Sequence, residues 1–112
     1  MISKIYQLQN QIVDQETALR GLMITGVRTF LDPYHRATPE QSMQELESLL
    51  EFDQPQLAKA YELRARYEAW LRFAQTAINE GRIAEARELG AMMERKIKMD
   101  EVRTTVAALL QN

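Results

Sequence analysis

Three clusters of side chains in this 112-residue sequence have types and spacings suited to chemistry. In ETALRGLMITG, residues 16–26, Glu16 and Arg20 stand four apart with the acid N-terminal, the favoured orientation for an ion pair on one helix face. In DPYHRA, residues 32–37, the only histidine, His35, lies between Tyr34 and Arg36. Two guanidinium groups and an imidazole around a tyrosine can hold a carboxylate through charge-assisted hydrogen bonds. Counting back from a turn at Gly26, Arg20 falls at the level to which a following helix returns His35 and Arg36. Arg20, His35 and Arg36 are therefore the candidate ligand-binding residues. The plainer reading of Arg20 is a salt bridge to Glu16 at the edge of a helix bundle. In KIKMDEVR, residues 96–103, Asp100 and Arg103 are three apart on one helix face and read as a surface ion pair.

Catalytic chemistry finds little support. The chain has no cysteine, which removes disulfides, thiol nucleophiles and zinc–thiolate sites. With a single histidine, imidazole metal centres and serine–histidine triads have no basis. The Glu-x-x-His pairs of di-metal helical bundles and the glycine-rich loops that cradle phosphates are both missing from the sequence. No catalytic residue, metal ligand or cofactor is expected. The net charge is -2, with acidic and basic residues interspersed, so no basic face is offered to nucleic acid or to a membrane surface. Apolar residues make up 46% and charged residues 27%, the balance of one ordinary globular domain with a single core. No uncharged run is long enough to span a bilayer.

The elements that must position these residues are helices, four of them by periodicity. The first runs from about Ser3 to Thr25, with Ile5, Leu8, Ile12, Gln15, Leu19, Leu22 and Gly26 as its seam. Gly26 suits the position just past the helix, where a left-handed backbone is cheap only for glycine. The second carries two start signals. Asp32 can cap with Pro33 behind it and Phe30 and Leu31 as an apolar staple, and Thr38 can cap with Pro39 and Gln41 behind it. It is either a short helix followed by a second one over 39–51, or one helix kinked at Pro39, with Met43, Leu46, Leu49 and Leu50 inward. Asp53 can cap the third, which runs to about Glu80 and ends at Gly81. Its seam is Leu57, Ala60, Arg64, Tyr67, Leu71, Ala74 and Ile78, with Trp70 beside it and Arg64 expected to pair with a carboxylate. The fourth spans about Ile83 to Leu110, with Ile83, Ala86, Leu89, Met93, Ile97, Val106 and Leu110 as core positions. The methionines read as core filler. Short connections make neighbours antiparallel, so the expected fold is an all-α, up-down-up-down four-helix bundle with long first and fourth helices.

One family joins these pieces. The run ETALRGLMITGVRTFLDPY resembles the signature of the CHASE family of extracytoplasmic sensory domains, specifically its third type. Glu16, Thr17, Arg20, Gly21, Thr25, Gly26, Phe30, Leu31, Pro33 and Tyr34 fall on that pattern, with Asp32 in place of a glutamate. Met99, Asp100, Val102 and Arg103 match a second, weaker segment of the last helix. Leu22 replaces an aromatic residue, Val27 replaces a polar turn residue, and Pro39 interrupts a second helix that is usually continuous. The motif residues Glu16, Thr17, Arg20, Gly21, Thr25, Gly26, Phe30, Pro33, Tyr34, Asp100 and Arg103 are read first as architecture.

The resemblance implies a single domain over residues 1–112, excised from between two transmembrane helices and facing the periplasm. The parent chain would be a receptor of the histidine kinase, chemotaxis transducer or cyclase type, acting as a homodimer and relaying a stimulus by displacement of the fourth helix against the first. Any kinase or cyclase activity would belong to an output domain elsewhere in that receptor. The stimulus could be a small ligand, no nucleic acid is expected as partner, and the membrane is met only through the flanking helices. The reading from a different class is a free-standing cytoplasmic helical adaptor or scaffold.

Overall fold

A computed structural model of the chain describes residues 2–79 and 89–111. Helix α1 spans Ile2–Thr25 and a 3-10 segment follows at Arg28–Leu31. Helices α2 at Asp32–Arg36, α3 at Pro39–Leu49, α4 at Gln54–Asn79 and α5 at Leu89–Leu110 complete the all-helical fold. Of the two readings of the second predicted helix, the structure has the first. Thr38 breaks the chain out of helical geometry (φ -127, ψ 56), and Pro39 opens a new helix whose missing N–H would be unpaired in any case. The predicted end at Gly81 and the predicted core residues Ile83 and Ala86 lie outside the described residues, as does the side chain of Leu89.

Helix ends follow local chemistry unevenly. Gly26 takes the left-handed conformation (φ 71) and its N–H donates to the Leu22 carbonyl at 2.6 Å, which closes α1. The Gln56 N–H donates to Asp53 Oδ1 at 3.3 Å, so Asp53 caps α4 as expected. Thr38 and the residues before α2 make no side-chain cap bond. The 3-10 segment runs straight into α2, so Asp32 is already helical and its side chain is not in a capping position.

The core is built from Ile5, Leu8, Ile12, Leu19 and Leu22 of α1, joined by Met43, Leu46 and Leu50 of the second arm. From α4 it takes Leu63, Tyr67, Trp70 and Ala74, and from α5 Met99, Val102, Val106 and Leu109. Pairings across helices run in opposite chain directions. Lys4 of α1 pairs with Glu45, Gln11 accepts from Ser42 Oγ at 2.7 Å, and Gln15 donates to the Tyr34 carbonyl at 3.2 Å. Likewise Gln56 of α4 donates to the Leu109 carbonyl at 3.2 Å while Arg66 meets Glu101 at 2.8 Å.

Several predicted core positions are displaced. Leu49, Met93 and Ile97 are exposed. Ile97 and Met99 point about 160° apart around one helix, so α5 buries only one of them, and it is Met99. Met92 and Met93 are surface residues, whereas Met23, Met43 and Met99 fill the core. On α4 the buried face is rotated about 40° from the predicted seam. That puts Trp70 fully inside and leaves Arg64 at the rim.

Candidate functional site

Two adjacent residues of α1 divide its polar chemistry. Gln15 and Glu16 are both buried, yet consecutive residues of a helix point about 100° apart, so they serve different neighbours. Gln15 faces α2 and α4. Its amide nitrogen donates to the Tyr34 carbonyl, and its Oε1 accepts from the Tyr67 hydroxyl at 2.6 Å. Burial pushes the Tyr67 hydroxyl pKa well above its usual value, with the neighbouring Tyr34 adding to the effect. Burial likewise raises that of Tyr34, whose hydroxyl has no hydrogen-bond partner among the described residues.

These three residues help line a groove of about 820 Å³. His35 of α2, Ala37 and Thr38 of the connection and Pro39 of α3 also line it, and α4 adds Leu71 and Gln75. The His35 ring stands edge-on to Tyr34, with centroids 5.4 Å apart and planes at 87°. Beneath the groove, the Tyr67 ring lies 6.1 Å from that of Trp70. Glu40 is the carboxylate of the groove lining, and it is held at 2.5 Å by Arg64. Arg64 also clasps Glu47 at 2.7 Å, and those hydrogen bonds hold it firmly charged. With Glu68 a third, more distant partner at 3.7 Å, the single carboxylate expected for Arg64 is in fact three.

Glu16 faces α5 instead. One of its oxygens is shared by Arg20, four residues on, at 3.0 Å and by Arg103 of α5 at 2.7 Å, while Oε2 has no partner among the described residues. Arg103 also approaches Asp100 at 3.5 Å, and Asp100 pairs more closely with Lys96 at 2.6 Å. The Lys96 hydrogen bond holds the Asp100 carboxyl below the usual carboxylate range. The pair read as a local surface contact, Asp100–Arg103, is therefore the minor partner of a link between the first and last helices. Arg95 belongs to this neighbourhood. Burial lowers its pKa, and Arg20 lowers it further while Glu16 opposes both.

The other signature residues build the turn. Gly21 passes beneath the Phe30 ring so closely that a Cβ there would lie 2.6 Å from Phe30 Cδ1. The Thr25 hydroxyl donates to the Gly21 carbonyl at 2.7 Å and accepts from the Val27 N–H at 3.1 Å. Pro33 sits in the first turn of α2, and Thr17 is exposed.

Of the three candidate ligand residues, His35 lines the groove, while Arg20 sits with Glu16 and is not among the groove residues, and neither is the exposed Arg36. The Gly21–Phe30 and Gln15–Tyr34 contacts put Arg20 level with the 3-10 segment, nearer the Gly26 turn than His35 and Arg36, so the three differ in level as well as in face. Gln15 stood in the predicted seam without a role, and Arg95 was not singled out. A polar residue at a core spacing was the available signal for Gln15, and nothing local marks Arg95.

The profile of the CHASE3 domain family matches residues 1–112, the whole chain. No curated protein and no solved structure gives a match.

Proposed function

The chain belongs to the CHASE3 domain family, the extracytoplasmic sensory domains of membrane receptors, and from that membership we propose that it is the sensor domain of a bacterial transmembrane signalling receptor. The receptor would be of the histidine kinase, chemotaxis transducer or cyclase type. The domain supplies a packing that a stimulus can change, and the output domain supplies any catalysis. No helix of the described residues is long and apolar enough to cross a membrane, so the spans of such a receptor would be flanking segments.

The observation that carries the reading is the family match across the whole chain. The proposed relay is displacement of α5 against α1 within an up-down-up-down bundle. Its support is the weak lateral contact of these two helices beside the extensive packing of α4 on α5, with the Glu16–Arg103 pair as the ionic tie across that seam. A stimulus moves such a seam only if it prefers one of its two packings. We place a second copy of the chain on the outer face of α1. There Ile2, Tyr6, Val13 and Ile24 are exposed within about 40° of one another around the helix.

The test is the native gene on both sides of this segment. Two apolar runs of about 20 residues, one before Met1 and one after Asn112, are expected. A start codon at Met1 with a stop after Asn112 would overturn the receptor reading and leave a helical adaptor protein.

A further inference from the structure

We propose that the groove between α1, α2, α3 and α4 binds a neutral, hydrogen-bonding molecule of roughly disaccharide size, with hydroxyl or amide groups, and not an anion. The inference rests on the sensor reading, since it names the class of stimulus such a domain would take.

The lining carries the argument. Glutamines converge on the groove from three helices: Gln15 of α1, Gln41 and Gln44 of α3, and Gln75 of α4. An uncharged amide has two donors and an acceptor; Gln15 already uses its oxygen and one donor, and Gln41 and Gln44 one donor each, which leaves the remaining amide capacity and that of Gln75 to a ligand. Tyr34, His35 and Tyr67 add rings, and Leu71 and Pro39 add an apolar surface, so one face of a ligand ring can stack while its edge is hydrogen-bonded. Among the described residues no lysine or arginine lines the groove, and its one basic side chain is the imidazole of His35. A carboxylate or phosphate would find no ammonium or guanidinium there to replace its water. The Glu40 charge is already balanced by Arg64 at 2.5 Å, which leaves a cationic ligand little net charge to meet.

A second observation is independent of composition. The Tyr34 hydroxyl below the groove is sealed from water, and it has no hydrogen-bond partner among the described residues. A buried hydroxyl in that state is costly, and a shift of the Tyr34 ring that brought it to a ligand oxygen in the groove would remove the cost. Its neighbour Tyr67 is already committed to Gln15 at 2.6 Å. A ligand seated on Tyr34 and Gln15 therefore disturbs Tyr67 and, through it, the fully buried Trp70.

Trp70 is the only tryptophan in the chain, so its emission reports occupancy of this groove. The 112-residue chain is titrated with N,N′-diacetylchitobiose, with trehalose and with succinate, followed by Trp70 fluorescence and by the NMR signals of the glutamine side-chain amides. A saturable response to either neutral probe is expected, with the Gln15, Gln44 and Gln75 amides shifted. The exposed Gln75→Ala variant should bind roughly tenfold more weakly with its fold intact. Saturable binding of succinate in this groove overturns the proposal. So does the lack of any response to both neutral probes up to about 10 mM, or a response that Gln75→Ala leaves unchanged. These measurements use the isolated chain and gene context is read separately, so loss of the groove site leaves the receptor assignment standing.

Discussion

Glycine at position 21 contradicts helix propensity, and the contradiction can be measured. In a helix interior alanine is favoured over glycine by about 1 kcal/mol. At Gly21, however, the nearest atoms to an added Cβ all belong to Phe30: Cδ1 at 2.6 Å, Cγ at 3.0 Å and Cβ at 3.2 Å. The ring must move, and Phe30 is 46% exposed, so roughly half of its burial is at stake. Full burial of a phenylalanine is worth about 1.5–3 kcal/mol, and expelling the ring forfeits about 1 kcal/mol of that. Holding the ring in place costs about 1–3 kcal/mol of overpacking instead. Gly21→Ala should therefore be neutral or destabilising by up to about 2 kcal/mol. Phe30→Ala leaves only the Cβ contact, which a small shift of the turn relieves. In that background Gly21→Ala should stabilise by about 1 kcal/mol, a reversal of sign with a coupling energy of about 1–3 kcal/mol. Urea denaturation of the four proteins, followed by helical circular dichroism, measures the cycle. Equal stabilisation by Gly21→Ala in both backgrounds would refute the close-approach account.

Three further outcomes follow from the contacts. Arg103→Ala strips the buried Glu16 of its α5 partner and should cost about 1–2 kcal/mol, a value discounted because the Arg103 side chain is 43% exposed. Adding Glu16→Gln should recover part of that loss in urea denaturation, and an Arg103→Ala protein as stable as the parent would demote the tie to surface decoration. Asp53→Ala removes a cap bond and should cost about 1 kcal/mol, whereas Thr38→Ala, with no cap bond to lose, should change thermal stability by only a few tenths. The Lys4 hydrogen bond holds the Glu45 carboxyl below its reference value of 4.5, so its contribution is present above that pH and lost as pH falls through the folded value. The Tm difference between the parent and Glu45→Gln should accordingly be widest above that reference value and close as pH falls below it; a gap that does not depend on pH would show the ionic link to be irrelevant.

What the sequence could disclose depended on how local the cause was. Gly26 and Asp53 act on backbone groups within four residues, and both do what their types predict. Thr38 makes no cap bond: its ψ is 56, and its hydroxyl accepts instead from the Gln11 amide of α1 at 3.3 Å, a partner far away in sequence. The apolar repeat placed the seam of α1 residue by residue from Ile5 to Leu22, since that helix has one dominant stripe. In α5 apolar residues lie on competing faces, and only contact with α1 and α4 selects Met99 and Val102 over Met93 and Ile97. Arg20, His35 and Arg36 were grouped by their level along the bundle. The 3-10 segment after Gly26 sets Phe30 beside Gly21 and Tyr34 beside Gln15, which leaves His35 and Arg36 farther from the turn than Arg20, and the face Arg20 serves depends on Glu16 and its partner Arg103, far away in sequence.

The placement of Gln15 beside Glu16 gives the sensor reading a physical route. Gln15 ties α1 to the α2 backbone and, through Tyr67, to α4, while Glu16 ties the same turn of α1 to α5. The two side chains share one peptide unit, so a rotation of that turn cannot move one without the other. A ligand that draws on Gln15 in the groove has a differential affinity for two orientations of α1 only if those orientations place Gln15 differently. The same difference must then appear at the Glu16–Arg103 contact. By linkage, breaking that contact must change the affinity of the groove by the factor with which the ligand changes the contact. Arg103→Ala, which touches no groove residue, should therefore shift the apparent affinity for a groove ligand measured by Trp70 emission. An affinity identical to that of the parent would mean that the groove and the α1–α5 seam are energetically independent, and the relay would need another route.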